Sequence, residues 1–193
     1  MIPFSDALTD EQKKILLTLA RQSITLAVTD KPSLPPNNHD YEPPLNQPGA
    51  SFVTLTIHGN LRGCIGTLSP FQSLVEDVYE HAAAAAMNDH RFYPVSASEL
   101  GNIRIEISRL TLPRKLDYKA PGDLPGLLRP GKDGVIIRDE GLRATFLPQV
   151  WEQLPAAPDF LTHLCQKMGA KGNLWRLKLL HVEIYEVEEF CDE

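Results

Sequence analysis

The 193-residue chain is predicted to be an α+β (mixed α/β) protein, an antiparallel-rich sheet packed by helices, with a main lobe and a smaller lobe. Three observations predict this. Capped helical periodicity appears at Thr9–Val28 and again between Ser69 and Asn88. Two-residue alternation appears at Ser51–His58, at Ile103–Ile107 and around residues 134–147. Glycine-containing turns, Gly59-Asn60 and Asp139-Glu140-Gly141, fold two of these strands back on themselves, which makes the pairing antiparallel. A chain of this length holds one core, or one core with a small satellite, so residues 1–193 read as a single domain with a lobe boundary within 111–133.

The first helix opens on the capping box Thr9-Asp10-Glu11-Gln12 and carries an apolar or small stripe at positions 15, 16, 19, 20, 23, 24, 27 and 28. Ser23 in that stripe predicts a close helix contact, while Lys13, Lys14 and Arg21 are expected to face water. Six prolines between Asp30 and Ala50 make the next segment an ordered, irregular connection. In the strand that follows, Val53, Leu55 and Ile57 form one apolar face. If only Gly59 and Asn60 lie in the turn, Leu55 pairs with Cys64 and the thiol points to the apolar side. A register change of one residue places it with Thr54 and Thr56 instead.

Ser69-Pro70-Phe71-Gln72 reads as the cap of a second helix, whose five alanines at 82–86 leave a smooth surface for close approach to a sheet. Asp89–Pro94 turns out of it, and Ser96–Glu99 caps one helical turn before the strand of Ile103, Ile105 and Ile107. Prolines and glycines dominate 113–132. Beyond the second hairpin, Pro148 starts a short helix. Phe160, Leu161, Leu164, Cys165 and Met168 mark another, stopped by Gly169, with Cys165 in a structural position. The final strand, Leu177–Glu189, changes phase near Ile184, as a bulge or the end of pairing would cause.

Composition narrows the function. A net charge of −6 argues against a nucleic-acid-coating surface. No apolar run reaches the roughly 20 residues of a membrane span, and Met1–Asp6 lacks the basic-then-apolar pattern of a leader, so a cytoplasmic protein is expected. Cys64, Cys165 and Cys191 have neither disulfide-framework nor zinc-knuckle spacing, which suits reduced thiols. No metal motif is present, so no metal ligands are assigned.

The stretch Leu61-Arg62-Gly63-Cys64-Ile65-Gly66 concentrates the chemistry: a thiol flanked by glycines beside a fixed positive charge. On this hexapeptide the chain resembles the AMMECR domain family, also called AmmeMemoRadiSam system protein A. Similar in order and spacing are Asp89, Arg91 and Phe92, then Gly131-Lys132-Asp133-Gly134, Phe146-Leu147-Pro148-Gln149-Val150, and Lys167 with Gly169. His90 departs from the family pattern, which has proline there. The resemblance implies a compact α/β protein with a main and a smaller lobe, in the company of a Memo-like protein and a radical SAM enzyme. It brings no activity and no cofactor.

Read from the residues, Cys64 is the candidate catalytic group, acting as a thiolate nucleophile. Arg62, Gly63, Gly66, Asp89 and Arg91 are the candidate binding residues. Bases are offered by His58, His81 or His90, and Asp89 with Arg91 can orient a substrate carboxylate or phosphate. The opposing reading makes Cys64 a small core side chain and the glycines a packing surface for the alanine-rich helix. Arg62 is expected to pair with Asp89 or to open onto a cleft. A small-molecule-binding or catalytic pocket and a non-catalytic accessory module are the two function classes that remain.

Overall fold

The structure is a computed structural model describing residues 7–32 and 34–192, so the leader reading of Met1–Asp6 lies outside the described residues. The chain divides into two compact units. One runs to Leu110 and is completed by residues from Glu188 onward; the other is Thr111–Val187.

In the first unit, α1 (Asp10–Val28) begins on the expected box, with Thr9 accepting from Gln12 N–H and the Gln12 side chain accepting from Thr9 N–H. Leu16, Leu19, Ala20 and Ile24 are buried along one stripe. Ser23 allows the close contact predicted for it, donating to Tyr79 O of α2 (Leu74–Met87) at 2.6 Å. Two of the supposed water-facing cations are tied down. Arg21 donates to Leu100 O and Ile103 O at 3.3 and 2.7 Å and pairs with Asp192, and Lys13 pairs with Glu188 at 3.0 Å.

The α2 cap differs from expectation. Ser69–Gln72 is a turn ending in the two-residue β3 (Gln72–Ser73), and the box is Ser73 with Glu76, one turn later. Both tetrapeptides fit the signature. The second puts a carboxylate at the positive end of the helix dipole, where it is stabilised.

The first sheet has the order β2-β1-β4-β9, with β3 pairing on β1, and comprises β1 (Pro48–Ile57), β2 (Asn60–Gly66), β4 (Ile103–Leu110) and β9 (Val187–Cys191). All the β1 pairings are antiparallel. Ser51, Val53 and Leu55 of β1 and Ile103, Ile105 and Ile107 of β4 are buried. The apolar members join α1 and α2 in one core.

The second unit carries the sheet β5-β8-β6-β7, from β5 (Arg114–Lys115), β6 (Gly134–Asp139), β7 (Leu142–Phe146) and β8 (His181–Tyr185). Short helices α3 (Leu124–Leu127) and α5 (Leu174–Leu177) accompany α4 (Ala157–Lys167). Val135, Ile137, Val182 and Ile184 pack on Phe160, Leu161, Leu164 and the fully buried Cys165. Trp151 stacks on Phe160 with ring centroids 3.8 Å apart. Gly169, at φ +87°, ends α4 as expected. The phase change foreseen near Ile184 is a change of sheet: β8 ends at Tyr185, and after Glu186 the chain enters β9 of the first sheet. Among the described residues no helix is long and apolar enough to cross a membrane.

Candidate functional site around Cys64

The turn between β1 and β2 is His58-Gly59, with φ of 51° and 79°, and Ile57 pairs with Asn60 across it. The turn therefore sits one residue earlier than Gly59-Asn60, and a second irregularity follows. Thr56 pairs with Leu61 but Leu55 with Gly63, so Arg62 is an extra residue, a β-bulge. Together the two shifts pair Cys64 with Thr54 rather than Leu55. This overturns the core-facing expectation. Cys64 is half-buried on the face that Thr54 shares, away from the α1–α2 core, its Sγ 3.3 Å from the Thr54 hydroxyl.

The inward position belongs to Gly63. A Cβ there would lie 2.1 Å from Ala85 O of α2, so the space its missing side chain leaves is filled by the helix. At Gly66 a Cβ would lie 2.3 Å from Ser51 O and 2.5 Å from the Phe52 ring, its cross-strand partner. Both glycines are close-approach positions, and what approaches them is this chain itself.

Asp89 and Arg91 secure the strand at Cys64. One Asp89 oxygen accepts Cys64 N–H at 2.8 Å, and Arg91 Nη2 donates to Cys64 O at 3.2 Å. Arg91 also donates to Asp89 from its main-chain N at 3.1 Å, from Nε at 2.9 Å and from Nη2 at 2.7 Å. Because β2 is an edge strand, these bonds satisfy main-chain groups that would otherwise invite another strand. The Arg91 guanidinium, helped by the Cys64 and Arg91 main-chain N–H groups, holds the Asp89 carboxyl far below the usual carboxylate range against the opposing effect of burial. Asp89 in turn raises the Arg91 pKa, and the Cys64 side chain adds to that effect. The Arg91 side chain stays 56% exposed, so its outer edge is open to a ligand.

Arg62 does not meet Asp89. Its partner is Glu99, with Nε to Oε1 at 2.7 Å and Nη2 to Oε2 at 3.3 Å, and it also donates to Tyr93 O at 2.9 Å and Pro94 O at 3.4 Å. Arg62 pushes Glu99 down to about 2, with the Ser96 N–H and hydroxyl contributing further. The guanidinium thus clamps the 93–99 segment to β2. No local pattern links residues 37 apart, so Glu99 was not foreseen as the partner.

Of the candidate bases, His58 at the hairpin tip and His90 are exposed, and the hydrogen-bond partner of the thiol is Thr54 rather than either of them. His81 Nδ1 lies 3.2 Å from Asp77 Oδ2, which also accepts the Ser51 hydroxyl at 2.6 Å, on the helix side of the sheet. Asp77 is fully buried and its Oδ1 has no partner. Its position in the buried stripe of α2 was the only sequence signal for it. Among the described residues no set of three His, Cys, Asp or Glu converges to hold a metal. A groove of about 640 Å³ follows the outer face of α1 past Leu17, Arg21 and Thr25 to Asp192, and includes none of the residues around Cys64.

Comparisons with known proteins match the chain at the level of family and fold. The AMMECR1 family model matches residues 17–190. A protein of Thermofilum pendens is 32% identical over 196 residues, spanning 96% of this chain and 92% of its own length. One of Methanosarcina mazei is 35% identical over 189 residues, with 96% and 94% covered. A Methanothermobacter thermautotrophicus protein is 43% identical over 123 residues, and there the match spans 61% of this chain and 62% of the relative. The crystal structure of an uncharacterized protein from Pyrococcus horikoshii superposes with a TM-score of 0.75 at 32% identity, covering 96% of this chain and 94% of that one. The chain belongs to the AMMECR1 family.

Proposed function

We propose that the sheet face bearing Thr54 and Cys64 binds a small molecule carrying a carboxylate or phosphate, with Cys64 as the candidate nucleophile. The observation that carries this reading is the bulge at Arg62. It turns the thiol out of the core, while Asp89 and Arg91 fix both main-chain groups of the same residue. A rigid thiol with a hydroxyl on one side and a partly open guanidinium near its strand is a preorganised setting for an anionic substrate. Arg62, Gly63 and Gly66 support this face, through Glu99, Ala85 and Phe52 respectively, and Asp89 positions Arg91.

Rates of thiol labelling in the native protein test the reading. Cys64 should react measurably between pH 6 and 9, and a saturating small carboxylate or phosphate should slow it; a Cys64 inert until unfolding removes the nucleophile. The accessory reading is favoured by Tyr93, which is 92% exposed on a turn held by Arg62 and Asp89. Under it, Tyr93→Ala abolishes co-purification with a Memo-like or radical SAM partner and Cys64→Ser does not.

A further inference from the structure

The second sheet has a face that none of the foregoing uses. Residues paired across neighbouring strands share a face, and on the side away from the α4 core the pairings bring like charges together. Arg138 of β6 stands opposite Arg143 of β7 on one side and opposite His181 of β8 on the other. Three nitrogen-rich side chains thus form one row across three adjacent strands. All are exposed, Arg138 to 49% and His181 to 46%.

The turn fixes how close the two arginines come. Glu140-Gly141 is a two-residue turn with both φ positive, closed by the pair Asp139 and Leu142. In such a hairpin the next pair, Arg138 with Arg143, is the one without mutual main-chain bonds, whose Cα atoms are only about 4.5 Å apart.

Carboxylates on this face are already engaged. Glu183 accepts from Arg138 Nη2 at 2.9 Å and lies 3.6 Å from His181 Nε2. On the neighbouring β5, Lys115 stands opposite Glu183 and pairs with Asp117 at 2.6 Å. The hairpin-turn carboxylates of Asp139 and Glu140 are both held by Lys178, at 2.8 and 3.0 Å. Arg143 has no ion-pair partner among the described residues. The charge of the whole unit points the same way, since Thr111–Val187 holds eleven Lys/Arg against nine Asp/Glu while the rest of the chain holds eight against sixteen.

We propose that Arg143, Arg138 and His181 form an oxyanion site that takes a phosphate group. Arg138 shares its charge with Glu183 while Arg143, paired across from it, has no carboxylate, and a tetrahedral anion between the two gives Arg143 the charge-assisted bonds it lacks. Guanidinium forks match phosphate oxygens in a way that point charges do not. The site is distinct from the Cys64 face and stands or falls independently of it.

Titration of inorganic phosphate into the ¹⁵N-labelled full chain, at ionic strength held constant with chloride, tests the site. Saturable shifts confined to residues near 138, 143 and 181 are expected, with a Kd below about 10 mM. Arg143→Gln should raise that Kd at least tenfold, and Arg143→Lys should recover only part of it. Phosphate should raise the unfolding temperature of the wild type and leave that of Arg143→Gln unmoved, while in phosphate-free buffer the variant should unfold no earlier than the wild type. Glycerol 3-phosphate run in parallel identifies the source: binding as tight as inorganic phosphate assigns the site to phosphate esters, and weaker binding assigns it to the free ion. Shifts that do not saturate, that chloride reproduces, or that persist in a folded Arg143→Gln protein overturn the proposal.

Discussion

Replacing Gly63 with alanine separates two meanings of a glycine beside a reactive-looking thiol. If the glycine leaves room for a substrate, Gly63→Ala folds normally and loses only binding. The structure requires the other outcome. The new Cβ would lie 2.1 Å from Ala85 O and 3.1 Å from Ala85 C, so strand and helix must part by about 1.2 Å to reach an ordinary contact of roughly 3.3 Å.

Neither partner can yield easily. On α2, the Ser51–Asp77 bond and the fit of Leu74 against Gly49, where a Cβ would be 2.8 Å away, fix the helix along β1. On β2, the ladder to β1 and the Asp89 bond to Cys64 fix the strand. Overpacking against side chains costs 1–3 kcal/mol, and an obstruction by main chain belongs at the upper end, so we expect a loss of about 3 kcal/mol. For a chain of this size that lowers the unfolding temperature by roughly 10 °C. Urea unfolding should be followed by far-UV circular dichroism, because Trp151 and Trp175 both lie in the second unit. Gly101→Ala is the control, since a Cβ there meets nothing within 4 Å. A Gly63→Ala protein within about 0.5 kcal/mol of wild type would refute the packing argument.

The remaining expectations follow from the ion pairs, the buried carboxylate and the thiols. Arg62→Ala strands Glu99 and leaves two main-chain carbonyls without their donor; a loss of about 2 kcal/mol is expected, and a double-mutant cycle with Glu99→Gln should return a coupling of about 1 kcal/mol. Because the Glu99 pKa is lowered from 4.5 to about 2, its contribution is complete above pH 4.5 and disappears as the pH falls through 2. With the side chain 30% exposed and screened by water this amounts to about 1 kcal/mol, and Glu99→Gln should flatten that part of the stability profile in acid denaturation. Asp77→Ala should destabilise by about 2–3 kcal/mol by freeing the Ser51 hydroxyl and His81 inside the fold, read as a lower urea midpoint with an unchanged slope. Thiol labelling should proceed in the order Cys191, Cys64, Cys165, the last only on unfolding, since burial raises its pKa and closes it to solvent.

The elements that could be read from local sequence are those whose determinants are local. The Thr9 capping box, the alternation of Ile103, Ile105 and Ile107, the second hairpin and the Gly169 stop of α4 each depend on residues within one or two turns. The orientation of Cys64 depends instead on two offsets of one residue. Glycine takes the second central place of the turn in His58-Gly59, as it does in Glu140-Gly141, whereas Gly59-Asn60 would have put it first. The extra residue at Arg62 leaves no mark in the alternation, because Leu61-Arg62-Gly63-Cys64 fits either phase. Arg62 with Asp89 was the natural pairing by charge. Glu99 won because the turn at Ser96 presents its carboxylate, while Asp89 is consumed by Arg91 two residues on. The recurrence of Arg138, Arg143 and His181 on one face became visible only once the register was known.

The break at Glu186 also sets a schedule for assembly. The ribosome delivers everything up to Leu110 first, yet that unit lacks its last strand until about eighty further residues have been made. During the interval β4 offers a bare edge, and Ile105 N–H and the Arg21 guanidinium await Asp192, which follows β9. Thr111–Val187 holds its own contiguous set of strands and can close before the older segment does. The unit whose synthesis starts earlier is thus finished later, and the nascent protein is most exposed to edge-on association before β9 emerges.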